Sequence, residues 1–127
     1  MAARHILIVE DDPAMAGMMD ELLQRQGYAT RLAGDSGSAL AYFKEKKPDA
    51  IILDFMLPGV GGADLREDFR ELDGNTPVLF VSALPQRDLR GAVFDGFTYY
   101  MTKPYKTAEF LQVVDQMVAL AADPSGF

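Results

Sequence analysis

Glu10, Asp11 and Asp12 follow directly on a short apolar run, Asp54 follows a second, Ser82 follows a third, and Lys103-Pro104 comes just after a fourth. Carboxylates held within about 5 Å of one another repel by about 3 kcal/mol per pair at an effective dielectric constant of about 20, so a site that gathers them needs a compensating cation. A hard divalent ion and a lysine suit that need. Mg²⁺ takes oxygen ligands in octahedral geometry, keeps several waters, and is held through one or two carboxylates plus phosphate oxygens. The chemistry such a set permits is attack by a carboxylate on a phosphoryl group to give an acyl phosphate, with the metal and the lysine neutralising the transferring oxygens. In that scheme Asp54 is the nucleophile. The Ser82 hydroxyl and the backbone N–H of Ala83 hold phosphoryl oxygens, and the Lys103 ammonium pairs first with Asp54 and then with the phosphoryl group.

Each residue also has a plainer explanation. An aspartate after a buried strand is ordinarily a turn or helix cap, a serine there is a satisfied strand-end hydroxyl, and a loop lysine is a solvated cation. Asp12 fits the plain explanation best: followed by Pro13, it caps the free amides of a helix whose first residue has no N–H to satisfy. Glu10 and Asp11 have no such account. The inference rests on the combination of residues, which requires one crevice to receive them all.

The elements that would build this crevice are legible as strand-length apolar runs at His5 to Val9, Tyr28 to Ala33, Ala50 to Leu53, Pro77 to Val81 and Thr98 to Met101, alternating with helical spacing. Runs one, three and four are apolar throughout, as central parallel strands covered on both faces must be, whereas Thr30 and Arg31 mark run two as an edge. The first helix follows Asp12, buries Met15, Met18, Met19, Leu22 and Leu23, and stops at Gly27. The second is predicted over Ser38 to Lys46 with Leu40 and Phe43 inward. The third spans Ala63 to Leu72 with Leu65, Phe69 and Leu72 inward. A fourth covers Gln86 to Phe94, weakened by Gly91, and the last runs from Thr107 to Ala121 on Phe110, Leu111, Val114, Met117 and Val118. Five alternating units predict an α/β fold: a doubly wound, five-stranded parallel sheet with helices on both faces and a crevice beyond the carboxyl ends of the strands.

The 127 residues suit one domain with a core that needs no staples. We expect the domain to cover 1–121, with 122–127 as a flexible tail rich in chain breakers. Lysine and arginine number 12 against 19 acidic residues, a net charge of −7. A field of that sign repels nucleic acid and anionic lipid, so neither direct nucleic-acid contact nor a membrane partner is expected. Cysteine is absent, the N-terminus has no signal-peptide core, and no apolar run approaches the roughly 18 residues of a membrane span, so a cytoplasmic location is expected.

Taken together, ILIVEDDP at Ile6 to Pro13, ILDFMLPGVGG at Ile52 to Gly62, Ser82-Ala83, and YMTKPY at Tyr100 to Tyr105 resemble the receiver domain of two-component response regulators over essentially the whole chain. The resemblance implies the flavodoxin-like strand order 2-1-3-4-5 and phosphorylation on Asp54. It implies Mg²⁺ held by Asp11, Asp54 and the backbone carbonyl of Met56, with Glu10 acting through metal-bound water. Ser82 and Lys103 match the family's hydroxyl and lysine, the Lys103-Pro104 bond would be cis, and Tyr100 matches the switch aromatic. On phosphorylation Ser82 would move toward the phosphate and Tyr100 would turn inward, remodelling a protein-binding face. The implied partners are a histidine kinase or histidine phosphotransfer protein upstream, an effector protein downstream, and a second copy in a phosphorylation-dependent dimer. Such a domain is not expected to be an enzyme beyond taking up its own phosphoryl group from a donor and losing it to water.

Some residues depart from the family pattern. Phe97 replaces a small residue, the stretch from Ser82 to Lys103 is about one residue short, and Pro85 and Gly91 disturb the fourth helix, which is expected to be short or mobile. Met56 and Leu84, two beyond the acceptor and two beyond the hydroxyl, are apolar and orient no attacking water, so slow loss of phosphate is expected. A haloacid dehalogenase-type phosphatase would need a second aspartate where Met56 stands and room for a cap domain. A flavodoxin-like electron carrier would have its flavin phosphate repelled by Glu10, Asp11 and Asp12. A receiver-like adaptor that is never phosphorylated would have no use for the complete acidic, hydroxyl and lysine set.

Overall fold

Every second residue of the central strands faces one of two apolar compartments, and this alternation organises the molecule. The computed structural model describes residues 4–57, 61–83 and 97–122. Five strands, β1 (His5–Val9), β2 (Ala29–Ala33), β3 (Ala50–Asp54), β4 (Val78–Ser82) and β5 (Thr98–Thr102), form one parallel sheet in the order β2-β1-β3-β4-β5. Among the described residues the helices are α1 (Pro13–Arg25), α2 (Ser36–Glu45), α3 (Gly62–Leu72) and α4 (Thr107–Ala122). β1, β3 and β4 are buried along their whole length, as their unbroken apolar runs require, and β2 is the partly exposed edge.

Ile6, Ile8, Ile52, Leu79 and Val81 face α1 and α4, meeting Met19, Leu23, Phe110, Val114 and Met117. The alternate residues, Leu7, Val9, Ile51, Leu53, Val78 and Phe80, face α2 and α3 and meet Phe43, Leu65 and Phe69. Phe43 and Phe69 stack at 5.1 Å between ring centroids and join those two helices. Helices therefore cover both faces of the sheet. No helix among the described residues is long and apolar enough to cross a membrane.

The predicted end signals of α1 act as expected. Asp12 Oδ1 accepts from the Ala14 amide at 2.9 Å, Pro13 opens the helix, and Gly27 follows it with φ +93°. Three expectations are corrected. Met18, assigned to the buried stripe of α1, is 62% exposed, because the stripe is narrowed to Ala16, Met19 and Leu23 with Met15 and Leu22 at its margins. Leu72, the last residue of α3, is exposed, because the buried face of that helix is made by Gly62, Leu65, Arg66 and Phe69. The second helix begins earlier than expected, at Ser36, because Asp35 accepts from the Ser38 amide at 2.7 Å and caps it. The expected helix from Gln86 to Phe94, with Pro85 and Gly91, lies outside the described residues, as do Leu84 and the tail at 123–127.

Candidate functional site

The strands deliver the site residues as their own last positions, since parallel pairing carries through to them. Asp54 ends β3 opposite Val81, and Ser82 ends β4 opposite Thr102. Glu10 follows β1 with its amide bonded to the Ala33 carbonyl at 3.0 Å. The Lys103 amide donates to the Ser82 carbonyl at 2.7 Å, which fixes the backbone of the lysine to the end of β4. The Lys103–Pro104 peptide is cis.

Three carboxylates converge here. Glu10, Asp11 and Asp54 each offer an oxygen, and these oxygens lie within 4.8 Å of one another. Asp12, committed to the α1 cap, stays outside the cluster. Lys103 Nζ stands 3.5 Å from Glu10 Oε1 and 3.9 Å from Asp54 Oδ2. Asp54 Oδ1 accepts from the Met56 amide at 2.9 Å, which orients the carboxylate on its own turn.

One ammonium beside three carboxylates leaves the site short of positive charge. Burial, then hydrogen bonding and charge from Asp54, and more weakly Asp11, push the Glu10 carboxyl up to about 8 against the pull of Lys103. Glu10 is almost completely buried, and its Oε2 has no hydrogen-bond partner. A buried carboxylate oxygen left unsatisfied is costly, so this arrangement suits an added cation with its water shell.

Around this centre, Ser82 is buried and Ala83 is exposed at the mouth of the crevice. The Met56 side chain points out, 60% exposed. Tyr100 and Tyr99 pack against opposite compartments, and the Tyr100 hydroxyl hydrogen-bonds with Thr102 Oγ1 at 2.9 Å. An apolar groove of about 440 Å³ borders the crevice between α1 and the turn after β5, lined by Met15, Met18, Leu22, Ala83, Pro104 and Tyr105.

Sequence reasoning assigns no role to three residues that the fold makes prominent. Tyr105 lies 5.1 Å from Phe110 between ring centroids and lines the same groove as Lys103, and burial followed by the Glu10 charge raises the pKa of its hydroxyl. Arg66 is 2% exposed, with Nε donating to Thr98 Oγ1 at 3.0 Å. A buried arginine on a helix otherwise rich in solvated charges gives no signal in periodicity. Gly62 stands out in the sequence only as part of a motif, yet it is buried against the turn that follows β3.

Residues 6–115 match the model of the response regulator receiver domain. The chain is 34% identical over 109 residues to the DNA-binding response regulator MtrA of Mycolicibacterium smegmatis, an alignment covering 85% of this chain and 47% of that protein. It is 34% identical over 119 residues to the sensory transduction protein RegX3 of the same organism, covering 93% and 52%. The receiver domain of the sensor histidine kinase PA1611 from Pseudomonas aeruginosa PAO1, a structure with a magnesium ion coordinated in the active site cleft, has a TM-score of 0.83 at 26% identity, covering 93% of this chain and 99% of that one.

These relatives overturn the expectation that nucleic acid plays no part. MtrA carries DNA binding in its name, and the chain spans about half the length of the curated relatives it matches. The net charge of −7 describes this chain alone. It carries no information about the partners of a protein in which such a domain is joined to other sequence.

Proposed function

The chain belongs to the response regulator receiver domain family of two-component signalling, and from that premise we propose that Asp54 accepts a phosphoryl group in a Mg²⁺-dependent reaction. The observation that carries this reading is the convergence of the Glu10, Asp11 and Asp54 oxygens within 4.8 Å, with the Lys103 ammonium 3.9 Å from Asp54. Asp11, Asp54 and the Met56 carbonyl would hold the ion, and Glu10 would reach it through water. When bound, Mg²⁺ supplies neutralisation of charge on the phosphoryl oxygens.

The residues of the chain do the rest. An Asp54 oxygen attacks phosphorus as the bond to the donor breaks, and the donor leaves with the bonding electron pair. Lys103 follows the negative charge from the carboxylate to the phosphoryl group, while the Ser82 hydroxyl and the Ala83 amide take the remaining oxygens. A receiver domain is not an enzyme in the ordinary sense. Its own chemistry is the uptake of this group from a donor and its later loss to water.

The donor is a histidine kinase or histidine phosphotransfer protein. It approaches over the Met15–Met18 groove, which shares Ala83 and Lys103 with the crevice. Phosphorylation draws Ser82 inward and lets Tyr100 turn from the surface, changing the face offered to an effector or to a second copy of the chain. In a longer protein of the MtrA kind, DNA binding is the output so controlled. We assign the receiver unit to 1–122, one residue past the expected boundary at 121, because α4 continues to Ala122.

Incubation with Mg²⁺ and a small acyl phosphate donor, read by intact mass, tests the reading. One added phosphoryl group is expected in the parent and none in Asp54→Ala. No adduct in the parent, or an undiminished one in Asp54→Ala, overturns it.

A further inference from the structure

We infer that Gly62 is a positioning residue for the acceptor site, required because a side chain there would displace the backbone of Asp54 and Phe55. The inference rests on the reading of Asp54 as phosphoacceptor and Mg²⁺ ligand.

Gly62 is the first residue of α3 and is buried. A Cβ at this position would lie 2.7 Å from Phe55 Cα, 2.9 Å from the Asp54 carbonyl oxygen and 3.0 Å from the Phe55 carbonyl oxygen. All three are backbone atoms at the end of a central strand, so no side-chain rotation relieves the clash. Conformation does not explain the glycine, since Gly27 alone among the described residues has positive φ. The requirement at Gly62 is for space.

The close approach is also fastened: the Gly62 amide donates to the Phe55 carbonyl at 3.0 Å, while the Phe55 amide donates to Val81 of β4 at 3.2 Å. One residue further on, the Met56 amide holds Asp54 Oδ1 at 2.9 Å. The first turn of α3 therefore presses on the peptide between the acceptor and the residue whose amide orients it. Ordinary contact begins at 3.4 Å. An added methyl must push this peptide by several tenths of an ångström, and with it the Asp54 carboxylate and the Met56 carbonyl. The neighbouring glycine is a natural control, because a Cβ at Gly61 meets nothing within 4 Å.

Gly62→Ala and Gly61→Ala are made in the full chain, their folding checked by circular dichroism, and Mg²⁺ titrated against amide chemical shifts before phosphorylation by a small acyl phosphate is timed. Gly61→Ala is expected to match the parent. Gly62→Ala is expected to bind Mg²⁺ and to form the adduct at least about tenfold less well, in line with the cost of sub-ångström misplacement. Gly62→Ala within twofold of the parent in Mg²⁺ affinity, or an equal loss in Gly61→Ala, overturns the inference. If Gly62→Ala does not fold, amide exchange in the parent decides: the Gly62 amide is expected to be protected like those of β3, and exchange at the rate of an open loop overturns the fastening. A parent that neither binds Mg²⁺ nor takes a phosphoryl group sinks the reading of the site itself. A competent parent with a competent Gly62→Ala sinks only the role of the glycine.

Discussion

The Lys103 ammonium is nearer to Glu10 than to Asp54, standing 3.5 Å from Glu10 Oε1 just past the end of β1 and 3.9 Å from Asp54 Oδ2. It is the cation that holds the Glu10 carboxyl down against burial, Asp54 and Asp11. Replacing it exposes both relationships. In Lys103→Ala, the Glu10 carboxyl is expected to titrate above its parent value of about 8 in side-chain carboxyl NMR. The rate of phosphorylation should fall by about a hundredfold, the usual cost of losing one charge-stabilising donor. An unchanged Glu10 titration would show that the ion pair is not formed in solution.

Mg²⁺ affinity should depend on pH through the same carboxyl. Burial raises Glu10 from 4.5 to about 8, so its protonated form is favoured in the folded, metal-free protein. The stabilisation from this group is complete below about 4.5 and disappears as pH rises through about 8. A metal site at these carboxylates favours the deprotonated form and releases the proton. Mg²⁺ affinity is therefore expected to climb between about pH 6 and pH 8, by up to about tenfold per unit, and the Mg²⁺-induced rise in Tm should grow in parallel. A dissociation constant flat across that range would count against the assignment.

Under the proposed function, the lifetime of the phosphorylated state is expected to turn on Met56. Its side chain points outward and offers no hydrogen bond to an incoming water. Met56→Asn supplies an amide there, and loss of phosphate is expected to speed up severalfold, followed by intact mass after removal of the donor. The backbone contact from the Met56 amide to Asp54 is retained in that variant. Parent-like decay would show that water is oriented from elsewhere.

A stability prediction is independent of the chemistry. Gly17 lies inside α1 with nothing within 4 Å of where a Cβ would stand. Gly17→Ala removes unfolded-state freedom without a clash and is expected to stabilise the protein by about 0.5–1 kcal/mol, seen as a higher urea midpoint. A lower midpoint would mean that the space beside Gly17 is occupied in solution.

Most of the scaffold and all three carboxylates of the acidic cluster are legible in the amino-acid sequence, because they depend on local rules. Uninterrupted apolar runs mark β1, β3 and β4, and the Asp12-Pro13 pair with Gly27 bounds α1. What is not legible depends on partners distant in sequence. Met18 follows the α1 period but lies beyond the sheet's reach, and Arg66 is buried because Thr98, on another element, receives it. The start of α2 is hidden because Ser36-Gly37-Ser38 reads as loop unless the Asp35 side chain caps it. Gly62 is hidden for a related reason: a glycine in a loop motif suggests a turn, whereas here it is the nearness of Phe55 that demands it.

Asp54 ends β3, which has a hydrogen-bonded neighbour on either side, while β2 and β5 form the margins of the sheet. This placement separates what must stay constant from what is free to change. Under the proposed function, substitutions on the outer helices or at the margins would redirect which protein is heard and which is answered without shifting the strand that ends in Asp54. Engineering a new signalling pair from this chain would therefore begin at Met15, Met18 and the β5 edge, with β3 and its glycine support left as they are.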